Sequence, residues 1–114
     1  SYKSVHYISA VCTMFYMAEA MELAIESENF SGEGIKKAMY QKENWVPKGL
    51  EGVCLPSTWK EDDHRGLMDV PIFKVKVNGS TEKKSVNELM KNKVIELIKV
   101  DQITLPRRPE WRGY

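Results

Sequence analysis

Val5-His6-Tyr7-Ile8-Ser9-Ala10-Val11-Cys12-Thr13-Met14-Phe15-Tyr16-Met17-Ala18 contains no Lys, Arg, Asp or Glu, and Glu19-Ala20-Met21-Glu22-Leu23-Ala24 follows directly. Met, Ala and Leu are good helix formers, so the stretch predicts one helix over residues 5–28. Its first half is apolar on nearly every side and therefore needs cover from several directions. Its second half is amphipathic, with Glu19, Glu22, Glu26 and Glu28 marking a wet side. Met14, Met17 and Met21 fall at i, i+3, i+7, a spacing that reads as core packing rather than a thioether metal site. The uncharged run is shorter than the roughly 20 residues a bilayer requires, so no membrane span is expected. Ser1 opens the chain with no basic segment ahead of the apolar run, so no signal peptide is read. A mature protein or a truncated fragment would have this form.

Further along, Ser31 is placed to cap a second helix over residues 34–41, with Ile35, Ala38 and Met39 on one face. Residues 44–49 read as a loop ended by Pro47 and Gly49, and Gly52-Val53-Cys54-Leu55 as a short strand. Phe73, Val75 and Val77 alternate with Lys74 and Lys76, which predicts a strand over residues 70–77 with one dry and one wet face. Asn78-Gly79 is a favoured turn dipeptide. Ser85-Val86-Asn87-Glu88 fits a capping box opening a helix through Lys91. The Val, Ile and Thr content that follows predicts a strand over residues 95–104. The resulting class is α/β, with helices first and strands after.

The chain has 114 residues, one domain's worth at most, with 17 basic and 16 acidic side chains. A formal net charge of +1 argues against a nucleic-acid binder, which gathers a basic excess on one face. Arg107, Arg108 and Arg112 read as a solvated end. Two cysteines, Cys12 and Cys54, are too few for a disulfide scaffold and too far apart for a zinc site. Cys12 in its apolar run reads as a small hydrophobe; a Cys12–Cys54 bridge stays open in an oxidising compartment. No nucleophile elbow, His-Glu-x-x-His or phosphate-binding loop occurs, so neither enzyme chemistry nor a cofactor is expected.

Several segments resemble a known family when taken together. They are Trp45-Val46-Pro47-Lys48-Gly49-Leu50-Glu51-Gly52, Asp63-His64-Arg65-Gly66, Val70-Pro71-Ile72-Phe73-Lys74-Val75 and Leu105-Pro106-Arg107-Arg108-Pro109-Glu110-Trp111. They resemble the C-terminal end of type I periplasmic solute-binding proteins, in the branched-chain amino acid group that serves ABC importers. The resemblance covers nearly the whole chain but only the last third of a full family member. It implies a single incomplete domain, with residues 1–50 a helical first-lobe part and residues 51–114 a strand-rich hinge and second-lobe part.

The resemblance further implies a periplasmic or extracytoplasmic ligand clamp that closes about a hinge. Its partners would be a small-molecule ligand, an amino acid or small organic acid, and an ABC permease of the inner membrane. A receptor or regulator sensing domain is the alternative, as is a non-binding fragment that assembles. The first helix would begin near the cleft, which makes Tyr7, His6 and Tyr2 candidate ligand contacts; packing of Tyr7 against a sheet is the plainer reading. Asp63, His64 and Arg65 would form a hinge-side polar network, paired to each other or to backbone, with a solvated charged turn as the alternative. They are no metal site, because neighbours on a strand alternate sides. Trp45 and Trp59 would cover a lobe edge, and Trp111 would pin the tail. A first helix without its neighbours predicts a homo-oligomer if the 114 residues exist alone.

Overall fold

The computed structural model describes residues 3–106 and Glu110. Helix α1 spans Val5–Glu26, α2 Gly32–Met39, β1 Thr58–Lys60, β2 Asp63–Gly66, β3 Asp69–Val77, α3 Val86–Lys91 and β4 Ile95–Thr104. The strands form two antiparallel pairs, β1–β2 and β3–β4, so the chain mixes helices with small antiparallel sheets. It divides into two compact units. The larger holds the residues up to Met68 together with Pro106, and the smaller is Asp69–Leu105. The division expected at residues 50/51 thus falls inside the larger unit.

Alanines decide how the helices of the larger unit meet. Ala20, Ala24 and Ala38 are buried and form one core with Tyr16, Trp45 and Cys54. Side chains this small let α1 and α2 approach closely, and Leu23, Ile35, Met39, Val46 and Leu50 close around them. Ser31 caps α2 as expected, its hydroxyl accepting from Gly34 N at 3.0 Å. Helix α2 starts at Gly32, two residues before the sequence expectation. The tight entry explains Gly34, where a Cβ would lie 1.8 Å from the Asn29 carbonyl oxygen.

One question left open for this unit is resolved, and three expectations are corrected. Cys12 and Cys54 are bridged, pinning the middle of α1 to the 45–57 segment. Residues 52–55 form no strand. Gly52 has a φ of 78°, and Val53 N and Cys54 N both donate to the Leu50 carbonyl in a turn that presents Cys54 to α1. Trp45 is only 4% exposed and sits in the core rather than over an edge. The methionines are turned outward, Met14 being 72% exposed, because Cys12, Tyr16, Ala20 and Ala24 occupy the inner stripe of the helix. At 22 residues α1 is long and apolar enough to cross a membrane by length and composition, beyond what the uncharged run alone suggested.

The smaller unit is a ribbon closed by α3. Nine residue pairs join β3 to β4, from Asp69↔Thr104 to Val77↔Ile95, with Val100 bulged between Phe73↔Lys99 and Ile72↔Asp101. Asn78-Gly79 makes no two-residue turn. Asn78 N donates to the Val94 carbonyl at 2.6 Å, and its side-chain amide donates to Lys93 O and Glu96 Oε2. The ladder thus runs one step further before the chain departs into α3. The capping box is present, with Ser85 and Glu88 satisfying each other's backbone. Among the described residues nothing in this unit covers the dry face, so Phe73, Val75, Val77 and Leu97 stay about half exposed.

Candidate functional site

Tyr16 organises the concave side of the larger unit. It is buried on α1, and its hydroxyl lies 2.7 Å from the Trp45 carbonyl and 2.8 Å from the Leu55 carbonyl. One phenolic proton therefore serves two carbonyls. Edge-on contacts with Trp45 and Trp59, each at 5.0 Å between ring centres, fix the ring. Burial pushes the phenol pKa up; a hydrogen bond with Ser57 opposes this and the Glu19 charge adds to it. Trp45 and Ser57 exchange backbone hydrogen bonds, so the 45–57 segment leaves and returns at one point beneath this ring.

Above Tyr16 lies an open groove of about 510 Å³. Val5, Ile8, Val53, Leu55, Trp59 and Leu67 give it apolar walls. Ser9, Thr13, Ser57 and Arg65 are its polar groups, and the Cys12–Cys54 bridge is part of its lining. Such a shape suits an apolar body with few hydrogen-bonding groups.

Asp-His-Arg-Gly, residues 63–66, forms one wall, and strand alternation divides its work. Asp63 and Arg65 share a face. The Arg65 Nε donates to Asp63 Oδ1 at 2.9 Å and Nη2 to Oδ2 at 2.7 Å, a two-pronged pair with both side chains nearly buried. Nη1 donates to the Pro106 carbonyl at 3.1 Å. The Asp63 hydrogen bond raises the guanidinium pKa, burial opposes it, and the Asp63 charge adds to the rise. His64 points the other way, its Nε2 2.8 Å from the Tyr40 hydroxyl and its ring stacked on that tyrosine. Gly66 closes the motif at φ 74°, where a Cβ would come within 2.7 Å of the Trp59 ring. Among the described residues Asp63 pairs with Arg65 while His64 pairs with Tyr40, and no group of three or more possible metal ligands occurs there.

The helix-start candidates lie elsewhere. His6 is exposed, and Tyr7 is 52% exposed with the Lys3 ammonium 4.8 Å above its ring. Among the described residues neither lines the groove, and half-exposed Tyr7 is not in the core. Tyr2 and Trp111 lie outside the described residues, as do Arg107, Arg108 and Arg112.

Sequence reasoning missed Glu19, which was placed on a wet face. Its carboxylate accepts from Trp45 Nε1 at 2.7 Å and from Lys48 N at 2.6 Å, with Lys42 Nζ at 3.8 Å. Burial pushes its pKa up, but the Lys48, Trp45 and Lys42 interactions outweigh that and hold it below the usual carboxylate range. Glu22 and Glu26 do remain wet. The lone sign of Glu19's role was its place between Met17 and Ala20, on the side shared with Tyr16 and Leu23. No known protein-family model, curated protein or solved structure matches the chain.

Proposed function

We propose that the chain is the C-terminal portion of an extracytoplasmic solute-binding protein of the type I periplasmic class. In this reading it belongs to a two-lobe clamp that carries a branched-chain amino acid, or a related small organic acid or amide, to an ABC permease. The clamp works by binding and hinge closure, with no bond chemistry. One observation carries the reading: apolar surface stays uncovered in both units, on the β3–β4 face and in the groove beside α1. A fully buried Val, Leu, Ile or Phe side chain is worth about 1.5–3 kcal/mol, so such surfaces are built to meet more protein. The rest of a two-lobe receptor would supply it.

Two further features support this. The Cys12–Cys54 bridge fits an oxidising compartment, where such receptors work. The Asp63–Arg65 and Tyr40–His64 pairs brace the segment leading into β3, as a hinge-side support should be braced. Isothermal calorimetry of the whole secreted protein against branched-chain amino acids, small organic acids and amides is the test. Saturable binding to at least one class is expected. Silence across the panel from a folded, disulfide-intact protein overturns the reading.

A further inference from the structure

Helix α1 has two apolar sides. Val5, Ile8, Ser9, Cys12, Thr13 and Tyr16 line the groove. Tyr7, Met14, Met17, Met21 and Ile25 lie in a different stripe and are all substantially exposed, as are Ala10 and Ala18. Positions 7, 10, 14, 17 and 21 repeat every 3.5 residues, the seam that fits a second helix rather than a sheet. We propose that this seam binds the same seam of a second copy, with the two α1 helices antiparallel.

The order of side chains along the seam favours that arrangement. With Met14 facing Met14 on the two-fold axis, Ala10 comes level with Ala18 of the second copy and Tyr7 with its Met21. The small residues then meet each other and permit close approach, while two thioethers meet two aromatic rings, a favourable contact. Charge is complementary in this direction alone. Helix α1 has no acid in its first turn and no base in its last, so both ends of its dipole lack a compensating charge. Glu22, Glu26 and Glu28 gather at the C-terminal end, while Lys3 stands at the other. The antiparallel mate brings those acids to the positive N-terminal end, whereas a parallel mate would place acid against acid. The same glutamates disfavour an anionic lipid surface as the occupant, since such surfaces select Lys and Arg. Seam and groove share no residue, so both can be filled at once.

Light scattering of the 114-residue chain at tens of micromolar should give a dimer. Met14→Glu sets two carboxylates against each other on the axis and should raise the dissociation constant at least ~100-fold. The side chain it replaces is 72% exposed, the most of any large hydrophobic residue on the helix, so the circular dichroism and the Cys12–Cys54 bridge should be unchanged. Met14→Cys should cross-link two copies under mild oxidation. Ile25→Cys should not, because antiparallel packing holds its two copies about 33 Å apart. A monomer at that concentration overturns the proposal, as does a dimer indifferent to Met14→Glu, or cross-linking through Ile25→Cys. Co-sedimentation with mixed phosphatidylcholine and phosphatidylglycerol vesicles that Met14→Glu abolishes also overturns it, assigning the face to lipid.

Discussion

The two units reach order by different means. The larger has a core drawn from distant parts of the chain: α1 supplies Tyr16, Ala20 and Ala24, α2 supplies Ala38, and the loop supplies Trp45 and Cys54. A covalent bridge and the Tyr16 and Glu19 hydrogen bonds cross the same seam. The smaller unit relies on backbone pairing. Its ladder is long, but Leu89 is its one buried hydrophobic side chain among the described residues. A two-stranded ribbon is at best marginally stable in water. A polypeptide can therefore combine a core packed from distant segments with a segment whose apolar side chains stay half exposed.

The sharpest way to separate the units is to remove the bridge. Closing a loop across a sequence separation of 42 restricts the unfolded chain by about 4 kcal/mol. Cys12→Ser with Cys54→Ser should lower stability by about that much, read as a drop in urea midpoint. Amide exchange should rise across α1 and the 45–57 segment and change little over β3–β4. Equal loss of protection in both units would show that they unfold as one.

Gly66→Ala comes next. The new methyl meets the Trp59 ring, and the residue must also hold a positive φ. Overpacking and left-handed strain together cost about 3 kcal/mol, read by thermal unfolding, with the Trp59 fluorescence shifted. A cost near zero would mean that the Trp59 ring swings aside freely, leaving this wall of the groove unbraced.

Glu19 tests the acid side. Its folded pKa is depressed, so its contribution is present above the unfolded carboxylate value of about 4.3. That contribution is lost as pH falls through the lower folded value. Glu19→Gln should therefore flatten the fall in stability below about pH 4.3, measured by urea midpoints, and should leave β3–β4 exchange unaltered. An unchanged acid limb would remove Glu19 from the brace.

What the sequence disclosed was local. Ser31 and Ser85 mark helix starts because a hydroxyl beside orphan N–H groups is readable within four residues, and Phe73-Lys74-Val75-Lys76-Val77 alternates too cleanly to be other than a strand. The long-range pairings were not readable. Cys12 meets Cys54 only because Gly52 turns the chain back, and nothing near Cys12 signals that turn. The short β1–β2 pair went unseen because three or four residues carry too little pattern. Met14, Met17 and Met21 misled for a related reason. Periodicity locates an apolar stripe, but α1 has two, and the choice of the inner one lies with Trp45 and Cys54. Of the site, Asp63-His64-Arg65 was legible as a polar cluster, whereas its partition into two pairs required Tyr40.

The smallest effect bears most directly on the smaller unit. Val75 is 54% exposed on the ribbon's dry face. Val75→Thr keeps the branched shape and the strand preference while exchanging a methyl for a hydroxyl. On an open face the change should be worth less than about 0.5 kcal/mol. In the whole protein, if the rest of a receptor lies over that face, the hydroxyl is buried without a partner and the cost rises to about 1–3 kcal/mol. Thermal unfolding of the same substitution in both settings therefore reports whether the face is covered, with no need to know the ligand. Equal, near-zero effects in the two would mean that the ribbon stands in water throughout, and the chief support for a two-lobe receptor would be gone.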